Sequence, residues 1–135
     1  MAFVTTTLDE PFLVEEDFID AAQYLSVEAA VIHAVDEVES GGSGFLPDGK
    51  IKVLFEGHVF HRYTDGKYSS DPAYSDISYP TWTTKYYTKG SVQERGDGEL
   101  ERLTRAAKLD KKAALLSASY GRFQVMGFNH ALCGY

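Results

Sequence analysis

With 135 residues, of which 44% are hydrophobic and 24% are charged, the chain is predicted to form one globular domain over residues 1–135. The net charge of -7 is unevenly distributed, because residues 1–49 carry eleven Asp or Glu and no Lys or Arg, and this acidity argues against a nucleic-acid partner. The single cysteine, Cys133, excludes an internal disulfide and is typical of a protein made in a reducing cytoplasm.

Apolar residues at helical spacing predict two helices in the first half of the chain. Residues 14–22 form a short one, followed by a link at residues 24–25. Ser26 is the predicted N-cap of the second helix, which ends at Glu39 before a run of glycines. One face of this second helix carries an apolar stripe that we expect to be buried: Val27, Val31, Ile32, Val35 and Val38.

The following segments predict a small hairpin and further helices. Residues 45–46 and 51–55 flank the turn Pro47-Asp48-Gly49, with Ile51, Val53 and Phe55 on one face of a strand. Residues 57–63 are read as a helical turn, and residues 64–80 as an ordered, tyrosine-rich loop. Residues 98–107 have helical spacing, and Asp110 caps a last helix that reaches residue 118. The predicted fold is therefore α+β and mainly helical.

Glu39 is the strongest candidate for a catalytic residue. It continues the apolar stripe and lies in the last helical turn, so desolvation and the negative end of the helix dipole both favour its protonated form. A protonated carboxylic acid is what a glycosidase needs to protonate the leaving oxygen. The alternative is a surface glutamate near a helix C-cap.

Three separated strings closely resemble the N-acetylmuramidase domain of phage and prophage endolysins. They are AVDEVESGGSGFLPDGKIKVLFEGHVFHR at 34–62, DISYPTW at 76–82 and SASYGRFQVMGFNHALCGY at 117–135. The resemblance covers the chain from about Phe18 onwards and implies a lysozyme-like fold. It further implies cleavage of peptidoglycan between N-acetylmuramic acid and N-acetylglucosamine, with Glu39 as the catalytic acid.

The same resemblance implies a sugar cleft lined by the 120–126 segment. That segment is similar to the cleft segment of goose-type lysozymes and lytic transglycosylases, which implicates Gln124 and Tyr120. Ser119 and Asn129 are hydrogen-bonding residues that suit either a glycan or a turn. His58 is added as a further substrate-binding candidate.

A second carboxylate is expected because glycosidases use a pair. Glu56 ends the predicted strand and is the best candidate, while Asp48 and Asp76 are weaker because both look like turn residues. The structural alternative pairs Glu56 with Arg62 or lets it cap the next turn. A metal site built from Glu56, His58 and His61 is a less favoured hypothesis, and we predict no metal and no cofactor.

Two other functions stay open: a binding module that grips peptidoglycan without cutting it, and a lytic transglycosylase that uses the same Glu39. Domains of the resembled family continue past the segment that ends at residue 135 through further helices, so a C-terminally shortened domain is expected. The alternatives are a simple truncation and a fold that a second copy or a partner completes. No basic-then-apolar leader and no membrane-spanning stretch is found in the sequence. We therefore expect synthesis in the host cytoplasm and action on the cell wall once the membrane is permeabilised.

Overall fold

The computed structural model describes residues 13–40 and 42–134. The elements in chain order are α1 (Glu15–Leu25), α2 (Ala29–Glu39), β1 (Val53–Phe55), α3 (Gly57–Tyr63), α4 (Val92–Leu109), α5 (Lys111–Leu116), β2 (Ala118–Tyr120) and β3 (Val125–Met126). Short 3-10 turns occupy Pro72–Tyr74 and Gly127–Asn129. This architecture confirms the predicted mainly helical α+β class. Within the described ranges, the helices are too short or too polar to cross a membrane.

The three strands form one antiparallel sheet in the order β1-β2-β3. Val53 lies opposite Tyr120, and Ser119 lies opposite Met126. The predicted hairpin exists as one bridge between Phe45 and Ile51, next to a 2.8 Å hydrogen bond from Leu46 N to Lys50 O. Because β1 pairs with β2 from the far end of the chain, the C-terminal segment is held directly against the strand that leads to Glu56.

The core lies between this sheet and helices α3, α4 and α5. Phe55, Phe60, Ile77 and Leu103 are its largest fully buried apolar side chains. Helix α4 begins six residues before the predicted residue 98, since the Ser91 hydroxyl accepts from Glu94 N at 3.3 Å and Glu94 Oε2 accepts from Ser91 N at 2.8 Å. This reciprocal capping box satisfies two backbone donors and fixes where the helix starts.

The predicted burial of the α2 stripe is wrong. Its valines expose between 42% and 79% of their surface: Val27, Val31, Val35 and Val38. The buried residues of this helix are Asp36 and Ser40 at its C-cap, and His33 stacks on Phe18 of α1 at 4.1 Å. The face of α2 that carries His33 and Asp36 therefore points inward, where it meets the Phe18 ring of α1 and the Arg122 guanidinium.

The predicted start of α2 is also wrong. Ser26 has a left-handed backbone with φ 57° and ends α1, which runs on through the predicted link at residues 24–25. Helix α2 begins only after Glu28, whose side chain makes no capping hydrogen bond. A serine that precedes a helix is a good N-cap candidate, but Ser26 lies in the turn between the two helices and ends α1.

Candidate active site

Glu56 lies at the end of β1 and immediately before α3, where its backbone N donates to Ser117 O at 2.9 Å. Its carboxylate is largely buried, and both oxygens accept from the Tyr87 hydroxyl, at 2.8 and 2.9 Å. Burial and then the neighbouring Glu56 raise the pKa of Tyr87 well above its ordinary value of 10.0. Tyr87 is therefore a permanent donor that fixes the carboxylate in one place.

His58 is the second group beside this carboxylate. Its Nδ1 lies 3.3 Å from Glu56 Oε2, without the alignment of a hydrogen bond. The predicted alternative partner Arg62 makes no ion pair with Glu56 in the described part of the chain. The Arg62 interpretation is therefore wrong. Glu56 is the N-cap residue of α3, but its side chain makes no capping hydrogen bond, so the predicted capping role is wrong as well.

A buried ion pair on α4 positions the two segments that meet at Glu56. Glu99 Oε2 accepts from Phe55 N at 3.2 Å and from Arg102 Nη1 at 2.8 Å, while its Oε1 accepts from Thr88 N at 3.0 Å. Both side chains of the pair are at most 5% exposed. Because Phe55 precedes Glu56 and Thr88 follows Tyr87, one carboxylate holds the backbone on both sides of the contact.

Arg102 extends the same network to the 76–79 loop. Its guanidinium donates to Asp76 O at 3.0 and 2.6 Å and to the Tyr79 hydroxyl at 3.3 Å. A Cβ on Gly57 would stand 2.3 Å from Tyr79 Cε1, so only glycine allows this ring to pack beside the Glu56 strand. The Glu99–Arg102 pair was not predicted from the sequence. The sequence does contain one signal for this pair, because Glu99 and Arg102 lie on the same helical face as Leu103.

The side chain of Gln124 is held in place by hydrogen bonds within the C-terminal segment. Its backbone is left-handed with φ 50°, its Oε1 accepts from the Ser119 hydroxyl at 2.9 Å, and its Nε2 donates to Gly121 O at 2.9 Å. Ser119 itself is 4% exposed, and its hydroxyl is occupied by the hydrogen bond that it donates to Gln124. A cleft of about 520 Å³ is lined by both Gln124 and Tyr87, which connects this segment to the Glu56 site.

Tyr120 and Asn129 lie away from that cleft. The Tyr120 hydroxyl donates to Leu115 O at 2.9 Å, and burial raises its pKa to about 12. Tyr120 lines a different, larger cavity of about 990 Å³ together with apolar residues of α5 and β3. Asn129 ends a 3-10 turn, where its carbonyl accepts from Cys133 N at 3.0 Å. Tyr120 and Asn129 therefore make hydrogen bonds that stabilise the fold.

Glu39 is the last residue of α2 and is exposed, so the desolvation predicted for it is absent. It borders a shallow depression on the apolar face of α2. One turn earlier, Asp36 forms a bidentate ion pair with Arg122, whose Nη2 lies 2.6 Å from Asp36 Oδ2. Because Arg122 is two residues before Gln124, this pair brings the end of α2 to the turn that carries Gln124.

Breaking the Asp36–Arg122 pair should loosen the α1–α2 hairpin. Hydrogen bonding to Arg122 is the main cause that lowers the pKa of Asp36 below 3.8. A carboxylate with a lowered folded-state pKa stabilises the structure above its unfolded pKa, and this contribution is lost as pH falls through the folded value. In Asp36→Asn we expect lower amide protection factors in α1 and α2 at neutral pH, and in the wild type the same decrease only below about pH 4.

The control for that exchange measurement is Asp20→Asn, which makes the same charge change on the exposed side of α1. Exchange in α1 and α2 that is equal in Asp36→Asn and Asp20→Asn would show that the pair does not hold the hairpin.

The weaker carboxylate candidates and His61 contact other partners. Lys50 Nζ lies 2.7 Å from Asp48 Oδ2, and Arg105 Nη1 lies 2.7 Å from Asp76 Oδ2. His61 Nδ1 is 2.5 Å from the Ser69 hydroxyl rather than beside Glu56. Among the described residues, no group of three His, Cys, Asp or Glu side chains is placed to hold a metal ion.

The folded chain is similar to known proteins over most of its length. Its mainly helical fold with a small antiparallel sheet is lysozyme-like, as predicted. The chain belongs to the N-acetylmuramidase family, whose profile matches residues 28–135. The crystal structure of the Burkholderia AP3 phage endolysin superposes with a TM-score of 0.76 at 33% identity, covering 94% of this chain and 45% of that one. The chain thus spans less than half of that endolysin. A search of curated proteins finds no match.

Proposed function

We propose that the chain cleaves the glycan strand of bacterial peptidoglycan between N-acetylmuramic acid and N-acetylglucosamine, with Glu39 as general acid. The observation that carries the proposal is the family match over residues 28–135, within which Glu39 ends α2. The Asp36–Arg122 pair attaches this end of the helix to the turn that carries Gln124, and Gln124 lines one cleft with Tyr87. The site of action is accordingly the cell wall.

In this mechanism the proton of Glu39 passes to the glycosidic oxygen as the bond to the anomeric carbon breaks. The oxygen of a water molecule then bonds to that carbon, and the proton that the water loses restores the acid. The second carboxylate is Glu56, which either activates water or stabilises the positive charge that develops on the sugar. Two features support it: the Tyr87 hydroxyl fixes both of its oxygens, and 14% of its side chain remains accessible. A fixed, partly accessible carboxylate needs little reorganisation when charge develops beside it.

The Tyr87 hydroxyl should matter for turnover as well as for stability. Tyr87→Phe removes one charge-assisted hydrogen bond, which is worth about 1.5–3 kcal/mol, so we expect kcat on purified sacculi to fall about tenfold or more. The raised pKa of Tyr87 keeps the hydroxyl protonated, so the wild-type profile should show no loss of this donor below about pH 10.

Tyr86→Phe is the matched control, because its ring packs on Tyr79 at 4.9 Å and keeps that contact without the hydroxyl. An equal loss of kcat in Tyr86→Phe and Tyr87→Phe would remove the support for Glu56 as the second carboxylate.

Product analysis tests the proposed reaction. Purified sacculi are digested with the wild-type protein, and soluble fragments are identified by mass spectrometry. Reducing N-acetylmuramic acid ends are the expected result. Ends of 1,6-anhydromuramic acid would overturn hydrolysis in favour of transglycosylation. Binding of the protein to sacculi without release of fragments would overturn it in favour of a non-cutting peptidoglycan-binding module.

A further inference from the structure

Three basic side chains line the cleft that Gln124 and Tyr87 share, and we call it the cationic cleft. Lys52 lies just before β1, Lys89 just before α4, and Arg95 in the first turns of α4. They come from segments that are separate in the chain, so the fold gathers them. None of these three residues was singled out from the sequence.

The three cations have no acidic partner within 4.0 Å among the described residues, whereas Lys50, Arg102, Arg105 and Arg122 do. Lys50, for example, lies 2.7 Å from Asp48 and 3.1 Å from Asp97. Among the described residues that line the cleft, Glu99 is the one carboxylate, and it is 3% exposed and already paired with Arg102. The cationic cleft therefore carries a net positive charge within a protein whose overall charge is -7.

The cleft is also built on fixed backbone. Lys52 N donates to Gly44 O at 2.8 Å, and Lys52 O accepts from Gly121 N at 2.8 Å. On the opposite wall, a Cβ on Gly96 would stand 2.2 Å from Leu46 Cδ2, so the first turns of α4 pack directly on the hairpin. Cations held on such a frame lose less entropy on binding an anion than cations on a mobile loop.

We propose that the cationic cleft binds the free carboxylates of the peptides attached to N-acetylmuramic acid. This inference rests on the proposed function, because it takes peptidoglycan as the ligand. The lactyl carboxyl groups of the glycan are uncharged where they are amide-linked to the peptides. The remaining carboxylates of the polymer therefore belong to the peptides, and they are the anions that three unpaired cations would bind. Since Gln124 and Tyr87 line the same cleft, a glycan beside them would bring its peptides to Lys52, Lys89 and Arg95.

The test compares native sacculi with sacculi whose carboxylates have been converted to methylamides. The variant Lys52→Gln/Lys89→Gln/Arg95→Gln is measured against Lys67→Gln/Lys108→Gln/Lys111→Gln, which removes three charges from exposed positions outside the cleft. Both variants change the net charge from -7 to -10. Binding is read by co-sedimentation and therefore does not depend on cleavage. KM is read from the release of fragments.

We expect the cleft variant to bind native sacculi about tenfold more weakly, because each exposed charge contact contributes a factor of two to three. On methylamidated sacculi the affinity of the wild type should fall by about the same factor. The affinity of the cleft variant should fall little further. Equal wild-type affinity for both substrates, or equal losses in the two triple variants, would overturn the inference. Binding that follows this pattern without any fragment release would overturn the proposed cleavage but not the cleft.

Discussion

Glu39→Gln should lower the rate of fragment release from sacculi by roughly 100- to 10,000-fold, the range that a general acid contributes. Glutamine keeps the size of the side chain but cannot supply the proton. Because Glu39 is exposed at the end of α2, the free energy of unfolding should change by no more than about 0.5 kcal/mol. Loss of activity with unchanged stability and unchanged binding to sacculi would identify a chemical role.

Glu37→Gln is the matched control for this experiment. Glu37 is exposed on the same helix, two residues earlier, and the substitution makes the same change of charge. Rates are measured as reducing ends released, with circular dichroism melts of all three proteins alongside. If Glu39→Gln retains more than about a tenth of the wild-type rate, Glu39 is not the general acid.

Arg102→Met should lower the free energy of unfolding by about 3–5 kcal/mol, the cost of leaving one member of a buried ion pair without its partner. The substitution removes the donors to Phe55 O, to Asp76 O and to the Tyr79 hydroxyl. It also leaves the Glu99 carboxylate, 4% exposed, without its cation. Such a loss is a large fraction of the 5–15 kcal/mol that stabilises a typical domain.

Arg105→Met is the comparison, since Arg105 makes a bidentate pair with Asp76 at 30–35% exposure. Removing an ion pair that is screened by solvent should lower the free energy of unfolding by at most about 1 kcal/mol. Urea denaturation of both variants measures the difference. Equal free energies of unfolding for Arg102→Met and Arg105→Met would show that the Glu99–Arg102 pair does not secure the segments around Glu56.

Local sequence patterns predicted most of the elements because their determinants are local. The Pro47-Asp48-Gly49 turn, with φ 84° at Gly49, joins the bridged residues as expected. The Asp110 cap of α5 forms through a 2.9 Å hydrogen bond from Ala113 N. The predicted helix beyond residue 116 is wrong, because Ala118 pairs with Phe55 in the sheet. That pairing depends on a strand far away in sequence.

The candidate site could be predicted only in part. Glu56 stands out as a carboxylate that ends a strand, but no pattern around it indicates Tyr87 as its partner. Lys52, Lys89 and Arg95 look like ordinary surface cations in the sequence. Their common cleft depends on the packing of α4 against the hairpin, which is a long-range contact.

The sequence by itself determined the family, the helix that ends at Glu39 and the turn that follows it, because these depend on motifs and short-range periodicity. Only the tertiary structure decided which face of α2 is buried. Periodicity marks a continuous face but not what that face meets, and here the arginine at 122 draws Asp36 inward and leaves the valines exposed. The same holds for Glu56, whose fixed carboxylate results from a buried pair on α4 that joins segments distant in the chain.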